Sequence, residues 1–319
     1  MEVAMSANLP GQLISIVTPT FNEEENVAEL YHRICTVLNK FPNYLYEIIV
    51  IDNASTDSTV ERLKAIAAAD NRFKIIVNTR NFGHIRSPYW GLMQAKGDAV
   101  VYLASDLQDP PELIEQFIRK WESGSKVVFA VKPRVEKNNF FNTLRKVYYR
   151  LLDRISEVQI VKDATGFGLY DKIVLNQIRS VNDPYPYFRG LICELGYDIA
   201  LIPFEQPRRQ RGISKNNFYT LYDIAMLGIV SHSLVPIRLA SLLGFIMGTG
   251  SILMAFVFLL LKLLWWNHFP LGVAPIVIGM FFMFGVILLF IGLLGEYIGS
   301  IHTYVRKRPV VVERERINF

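Results

Sequence analysis

The sequence predicts an α/β domain with a mainly parallel sheet, followed by juxtamembrane helices and two transmembrane helices. Three observations predict it. Val- and Ile-rich runs alternate with helix-patterned stretches between residues 13 and 131. The first few of these runs end abruptly in polar side chains. Two apolar runs after Leu239 each exceed the about 20 residues that a membrane helix needs.

The elements follow in order. LISIVTP precedes the helical NEEENVAELYHRICTVLNK, EIIVID precedes STVERLKAIAAAD, and FKIIVN precedes a helix ending near Lys96. DAVVYLA precedes PPELIEQFIRKWESG, and KVVFAV follows. Strands alternating with helices of about 10–15 residues give a parallel sheet with right-handed crossovers. Ligands of such sheets bind at the carboxyl ends of the strands. Those ends carry Thr18-Pro19-Thr20 with Asn22 and Glu23, then Asp52-Asn53, then Asn78 to Asn81, then Asp106-Leu107-Gln108-Asp109. No G-x-x-x-x-G-K-[ST] and no G-x-G-x-x-G follows a strand, so a P-loop or dinucleotide fold has no support.

A sheet without a glycine loop needs another answer to phosphate charge, and a divalent cation on a rim carboxylate is one. Asp106 and Gln108, two apart in a segment read as extended, point the same way and suit a hard cation. Asp109 alternatively caps the helix opened by Pro110 and Pro111, with Glu112 in its first turn. The two readings are compatible.

The apolar excess is local. The chain is 51% hydrophobic with a net charge of +5 and a mean hydropathy of +0.24. Leu239–Trp266 and Val273–Ile301 hold most of that excess, without the polar stripe of a soluble helix. Lys262 and Glu296 stand near run ends, and Trp265 and Trp266 suit an interface belt. The short link Asn267–Gly272 makes the pair an antiparallel hairpin. Arg238, Arg306, Lys307 and Arg308 flank it on the other side, which places both chain ends in the cytoplasm. MEVAMSANLPGQ lacks the apolar core of a signal peptide. Cys35 and Cys193 fit no metal spacing and accord with a reduced compartment. The expected domains are a cytoplasmic catalytic unit (1–215), interfacial helices (216–238), the hairpin (239–305) and a basic tail (306–319).

Seven segments, in order, carry a resemblance. They are VTPTFNEEENV (17–27), IDNASTDST (51–59), RNFG (80–83), AKGDAVVYLASDLQDPPELI (95–114), RRQRGISKNNF (208–218), SLVPIRL (233–239) and GEYIGSIHTYVRKRP (295–309). Together the chain resembles the polyisoprenyl-phosphate glycosyltransferases, inverting members of glycosyltransferase family 2 of the bactoprenol glucosyltransferase and dolichyl-phosphate mannose synthase type. The resemblance implies a GT-A (Rossmann-like) fold and transfer of a sugar from a nucleotide to a lipid-linked phosphate. It implies that Pro19, Asn22, Glu23, Asp52 and Asp106 surround the nucleotide, and that Asp106 and Gln108 hold Mg²⁺ or Mn²⁺ on its diphosphate. Asp57 lies in a matching segment, and its own chemistry suits a cap for the helix beginning at Ser58. Two departures stand out. Ala104 replaces the first Asp of D-x-D-L-Q, and Gly166 and Gly168 replace the Asp and Arg of G-D-F-R-L. Asp163 is the nearest carboxylate to Gly166.

A lipid phosphate, with a second pKa near ~6, arrives largely deprotonated and needs little help from a base. Bringing two anions together needs positive charge. Lys132, Arg134, Arg208, Arg211 and Lys215 are the expected acceptor-phosphate ligands. Asp106, Asp163, Arg211 and Lys215 form the expected catalytic set. Lys137 adds to this charge, and Arg145, Lys146 and Arg150 read instead as a basic face toward anionic lipid. The FYTLYDIAMLGIVSHSLVPIRL stretch reads as interfacial helices. The expected reaction is inverting transfer of glucose from UDP-glucose to undecaprenyl phosphate. Alternatives are an inactive nucleotide-sugar-binding scaffold and a GDP-mannose donor. A processive polysaccharide synthase would show Q-x-x-R-W and more spans. Two spans argue against nucleic acid as a partner of the basic aromatic surface. Gly244, Gly248 and Gly250 suit helix association in a homo-oligomer.

Overall fold

The computed structural model describes residues 11–132, 161, 164–181, 183, 186–207, 235–264, 273–306 and 308–319. Its strands are β1 (Leu13–Thr20), β2 (Leu45–Asp52), β3 (Phe73–Asn78), β4 (Ala99–Tyr102), β5 (Val127–Val131), β6 (Ala164–Asp171), β7 (Ile199–Pro203) and β8 (Glu313–Ile317). Its helices are α1 (Val27–Leu38), α2 (Thr59–Ala69), α3 (Gly83–Gln94), α4 (Leu113–Glu122), α5 (Lys172–Val181), α6 (Phe188–Glu194), α7 (Val235–Leu264) and α8 (Val273–Val305). The strands form one sheet in the order β7-β5-β6-β4-β1-β2-β3-β8. β4-β1-β2-β3 is parallel throughout, as expected, and β5 pairs parallel with β7. β6 and β8 run antiparallel to their neighbours, so the sheet is mixed.

Both faces of the sheet are covered, which is why its central strands read as continuous apolar runs. Alternate residues feed two cores. Ile14, Ile16, Ile48 and Val50 pack with Leu30 and Ile34 of α1, Leu63 of α2 and Phe117 of α4. Val17, Ile49 and Ile51 pack with Tyr89 and Leu92 of α3, Val174 and Ile178 of α5 and Ile192 of α6. The helices reach these cores through apolar spacings of three and four, as in Leu113, Ile114, Phe117, Ile118 and Trp121 of α4.

The structure adds two features to the expected layout. DATGFGLYD supplies β6, inserted between β4 and β5. Its Gly168 is required by that position: a Cβ there would lie 2.1 Å from Val128 O. The second lies in the segment read as a basic tail, where residues 313–317 add an edge strand to β3. Trp90 Nε1 donates to Glu313 Oε1 at 2.5 Å, Lys64 Nζ to Glu315 Oε2 at 2.6 Å, and Asn318 Nδ2 to Ala67 O at 2.8 Å. Val311 is buried. Removing residues 310–319 strips a buried valine and a strand ladder, a loss of more than about 3 kcal/mol. Thermal unfolding of the detergent-solubilised truncated chain is therefore expected about 6–12 °C below the full chain. An unchanged midpoint would show the tail undocked.

α7 and α8 present apolar side chains outward, among them Phe245, Leu264, Phe282 and Leu288. Phe282–Val305 of α8, with a mean hydropathy of 2.0, is long and apolar enough to cross a membrane. The described apolar stretch of α7 is the shorter Val235–Gly250. α7 begins at Val235, inside the segment read as juxtamembrane; residues 216–234 of that segment lie outside the described residues.

Candidate active site

The rim of the parallel strands is built from tight loops. Each loop after the first four strands holds a residue in the left-handed region: Asn22 (φ 56°), Ala54 (φ 63°), Gly83 (φ 86°) and Leu107 (φ 57°). Three of the four are not glycine, and such strain concentrates at functional loops. Side chains pin the loops together. Asn22 Oδ1 accepts Thr56 N–H at 2.8 Å, and Asp52 accepts Ser55 N–H at 2.9 Å. Asn53 ties the loop after β2 to the one after β3: its Nδ2 donates to Asn81 Oδ1 at 2.9 Å, and its Oδ1 accepts Asn78 Nδ2 at 3.1 Å and Phe82 N–H at 2.8 Å. Asp57 Oδ1 accepts Thr59 N–H at 3.0 Å, one position ahead of the N-cap Ser58, so it serves the start of α2 as its chemistry suggested.

These loops enclose a cavity of about 390 Å³ at the carboxyl ends of β1, β2 and β4, closed by α3. Pro19, Thr20, Glu23, Asn53, Ser105 and Asp106 contribute to its wall. The Thr20 hydroxyl is buried without a hydrogen-bond partner among the described residues. Glu23 is held by Asn26 Nδ2, 2.5 Å from its Oε2.

Against that geometry, residues 15–179 match the family model for glycosyl transferase family 2. The chain belongs to glycosyl transferase family 2. Its relatives match almost end to end. A bactoprenol glucosyl transferase of Shigella flexneri is 32% identical over 93% of this chain and 96% of its own. An uncharacterized glycosyltransferase of Bacillus subtilis is 34% identical over 93% of this chain and 92% of its own. Among solved structures, glucosyl-3-phosphoglycerate synthase of Mycobacterium tuberculosis, with Mn²⁺ and UDP, aligns over 71% of this chain and 79% of its own. That alignment has 20% identity and a TM-score of 0.49, too coarse a likeness to argue from.

In this family 2 glycosyltransferase three of the residues expected around the nucleotide, Pro19, Glu23 and Asp106, line the cavity. Asn22 and Asp52 do not; they build the loops behind it, and burial pushes the Asp52 carboxyl up against the pull of Ser55. Gln108 departs from expectation. Residues 105–109 turn rather than extend, because Leu107 is left-handed and Asp106 Oδ1 accepts Gln108 N–H at 3.2 Å. The two side chains therefore diverge: Asp106 lines the cavity, and Gln108 Nε2 stands 3.5 Å from Pro207 O. Asp109 does not cap α4, whose N-cap is Glu112. It is buried and accepts Ala104 N–H at 3.1 Å, closing the loop on itself, and burial pushes its carboxyl up to about 6. Lys132 follows β5 close enough to Asp109 to favour its charged form but does not line the cavity. Arg134, Asp163, Arg208, Arg211 and Lys215 lie outside the described residues.

The described residues hold no cluster of three His, Cys, Asp or Glu side chains fit for a metal. One cavity carboxylate does suit a hard cation that keeps waters and takes its other oxygens from a substrate diphosphate. Sequence reasoning missed Phe21, His84, Ser87, Pro88 and Tyr102 of the wall. The signal for most of them was the RNFG turn, whose Gly83 starts α3 at the rim and brings buried Ser87 under Asn78, 3.0 Å away.

Proposed function

We propose that this glycosyltransferase moves glucose, with inversion, from UDP-glucose to undecaprenyl phosphate at the cytoplasmic membrane face. The observation that carries the reading is the end-to-end likeness to bactoprenol glucosyl transferases, apolar helices included. The cavity chemistry accords with it. Asp106 faces the space where a donor diphosphate would lie, in a sheet with no glycine loop. A divalent cation, Mg²⁺ or Mn²⁺, bound with the donor would neutralise diphosphate charge there. An acceptor phosphate oxygen attacks the anomeric carbon, the bond from that carbon to UDP breaks, and the configuration inverts. The acceptor arrives deprotonated, so the absence of a carboxylate at Gly166 is tolerable. Arg211 and Lys215 are proposed to offset the meeting of two anions, and Asp163 to play a secondary part.

The test is a donor screen on the full chain with undecaprenyl phosphate and UDP-glucose, other UDP-sugars and GDP-mannose. UDP-glucose is expected to give the highest kcat/KM, with turnover dependent on Mg²⁺ or Mn²⁺. Preference for GDP-mannose would replace the donor assignment, and no turnover with any donor would favour the scaffold.

The pairing of β8 with β3 supports two membrane spans. β8 lies in the same sheet as β1–β7, so the chain between residues 207 and 313 must cross a bilayer an even number of times. One crossing by α8 alone would separate β8 from β3; α7, at Val235–Leu264, is the natural second crossing. A cysteine at Asn267 is expected to react with an impermeant maleimide from outside intact cells, and one at Phe319 only after permeabilisation. The reverse pattern would invert the topology.

A further inference from the structure

A second cavity, of about 360 Å³, adjoins the first. His84, Pro88 and Tyr102 line both, so the two share a wall. The rest of its lining is largely apolar, with Ile85, Tyr89 and Leu92 on one side and Tyr187 and Phe188 on the other. One guanidinium, that of Arg189 in the first turn of α6, joins this lining. Arg189 is half-buried. Its Nη1 donates to Ala164 O at 2.6 Å, and its guanidinium lies 5.5 Å from the centroid of the Tyr187 ring. Among the described residues no carboxylate forms an ion pair with it. A half-buried cation without a protein anion leaves most of its five donors for something else. The planar fork of arginine fits a phosphate through paired hydrogen bonds.

The position of this cavity says which phosphate. Asp183 lies near enough to Tyr89 of this lining to act on its hydroxyl, and its Oδ2 accepts the Tyr304 hydroxyl at 3.3 Å. Tyr304 lies at the end of α8, the helix apolar enough to cross a membrane. The cavity thus lies between the donor cavity and the end of the membrane helix. Gly166 forms part of the same wall, where a carboxylate would repel an anion.

We propose that this cavity receives the head of a prenyl phosphate acceptor, its phosphate held by Arg189 and its first prenyl carbons lying on Tyr89, Leu92 and Phe188. The proposal deepens the lipid-phosphate reading above and rests on it. It adds a ligand that the basic clusters of the sequence did not suggest.

The test uses binding rather than transfer, so that its failure is separable from failure of the proposed reaction. Farnesyl phosphate, farnesol, UDP and UDP-glucose are each titrated calorimetrically into the detergent-solubilised full chain and into Arg189→Ala, Arg189→Lys and Ile85→Trp. Arg189→Ala is expected to weaken farnesyl phosphate at least tenfold and to leave farnesol and UDP within twofold. Arg189→Lys should retain part of the phosphate affinity, and Ile85→Trp should weaken farnesyl phosphate and farnesol alike. Farnesyl phosphate affinity within twofold of wild type in Arg189→Ala would overturn the proposal. So would a loss of UDP-glucose affinity in its place, which would assign the cavity to the donor's sugar. If Arg189→Ala no longer binds UDP and so has not folded, the other two variants decide, and unchanged farnesyl phosphate binding in both overturns it. A wild-type chain that does not bind farnesyl phosphate also overturns it.

Discussion

Asp106→Ala is expected to stop sugar transfer and to leave the domain folded. Among the described residues two carboxylates line the rim cavity, Glu23 and Asp106. Glu23 is buried and tied to Asn26, whereas Asp106 stands on the turn after β4 at the open end of the sheet. With Ala104 in place of a second acidic residue and Gln108 directed toward Pro207, little else in this loop can hold a cation against a diphosphate. The expected loss is roughly a thousandfold in kcat/KM, about 4 kcal/mol of barrier. Asp106→Asn separates charge from shape: its side-chain oxygen still accepts Gln108 N–H, but the negative charge is gone, and transfer should fall nearly as far. The thermal midpoint should move little in either variant, because the bond that Asp106 accepts from Gln108 N–H lies within its own turn. Chelation should stop the wild type and added Mn²⁺ or Mg²⁺ should restore it. Undiminished transfer by Asp106→Ala in excess chelator would remove both the residue and the cation from the mechanism.

Gly168→Arg, which restores the arginine of the family's pattern, is expected to cost the fold. A Cβ on Gly168 would lie 2.1 Å from Val128 O and 3.3 Å from Phe129 Cα. Both obstacles are backbone of the neighbouring strand β5, so relief requires opening the β5–β6 ladder inside the sheet. Overpacking by side chains costs about 1–3 kcal/mol, and a backbone collision should reach or exceed the top of that range. The solubilised variant should unfold at least about 6 °C below wild type or fail to accumulate. Gly166→Ala is the contrasting case. Its nearest obstacle is Tyr102, at 3.9 Å, so space is available, and its φ of 91° leaves a smaller backbone penalty. A wild-type midpoint for Gly168→Arg would mean that β5 and β6 do not pair as described. The same geometry gives Gly168 a structural reason that is independent of catalytic decay, which weakens the motive for an inactive scaffold.

Much was legible from local pattern alone. The runs LISIVTP, EIIVID, FKIIVN and DAVVYLA become β1 to β4 in a parallel set, because buried strands separated by helices have few other ways to pack. The polar strand ends gather on one rim because parallel strands all finish on the same side. That is why Pro19, Glu23 and Asp106 could be named together and are found lining one cavity. The Asp106–Gln108 segment reads as extended from its sequence but turns in the structure for a local reason, the left-handed Leu107 between the two residues.

The sequence by itself determined the parallel core, the functional rim, the family and the apolar character of the last third, since each is a property of neighbouring residues. Only the tertiary structure decided what depends on distant partners. ERERI has too few apolar residues to announce a strand, and becomes one because β3 has an open edge more than two hundred positions away and Trp90, Lys64 and Asn318 are placed to bond across it. Gly168 looks like a lost arginine until Val128 O is seen beside it. Arg189 is one arginine among many until folding places it in a largely apolar cavity beside the rim cavity, with no carboxylate paired to it among the described residues. Pairing, collision and the absence of a neutralising neighbour are all set by the separation of groups in space, and the order of residues along the chain does not encode that separation locally.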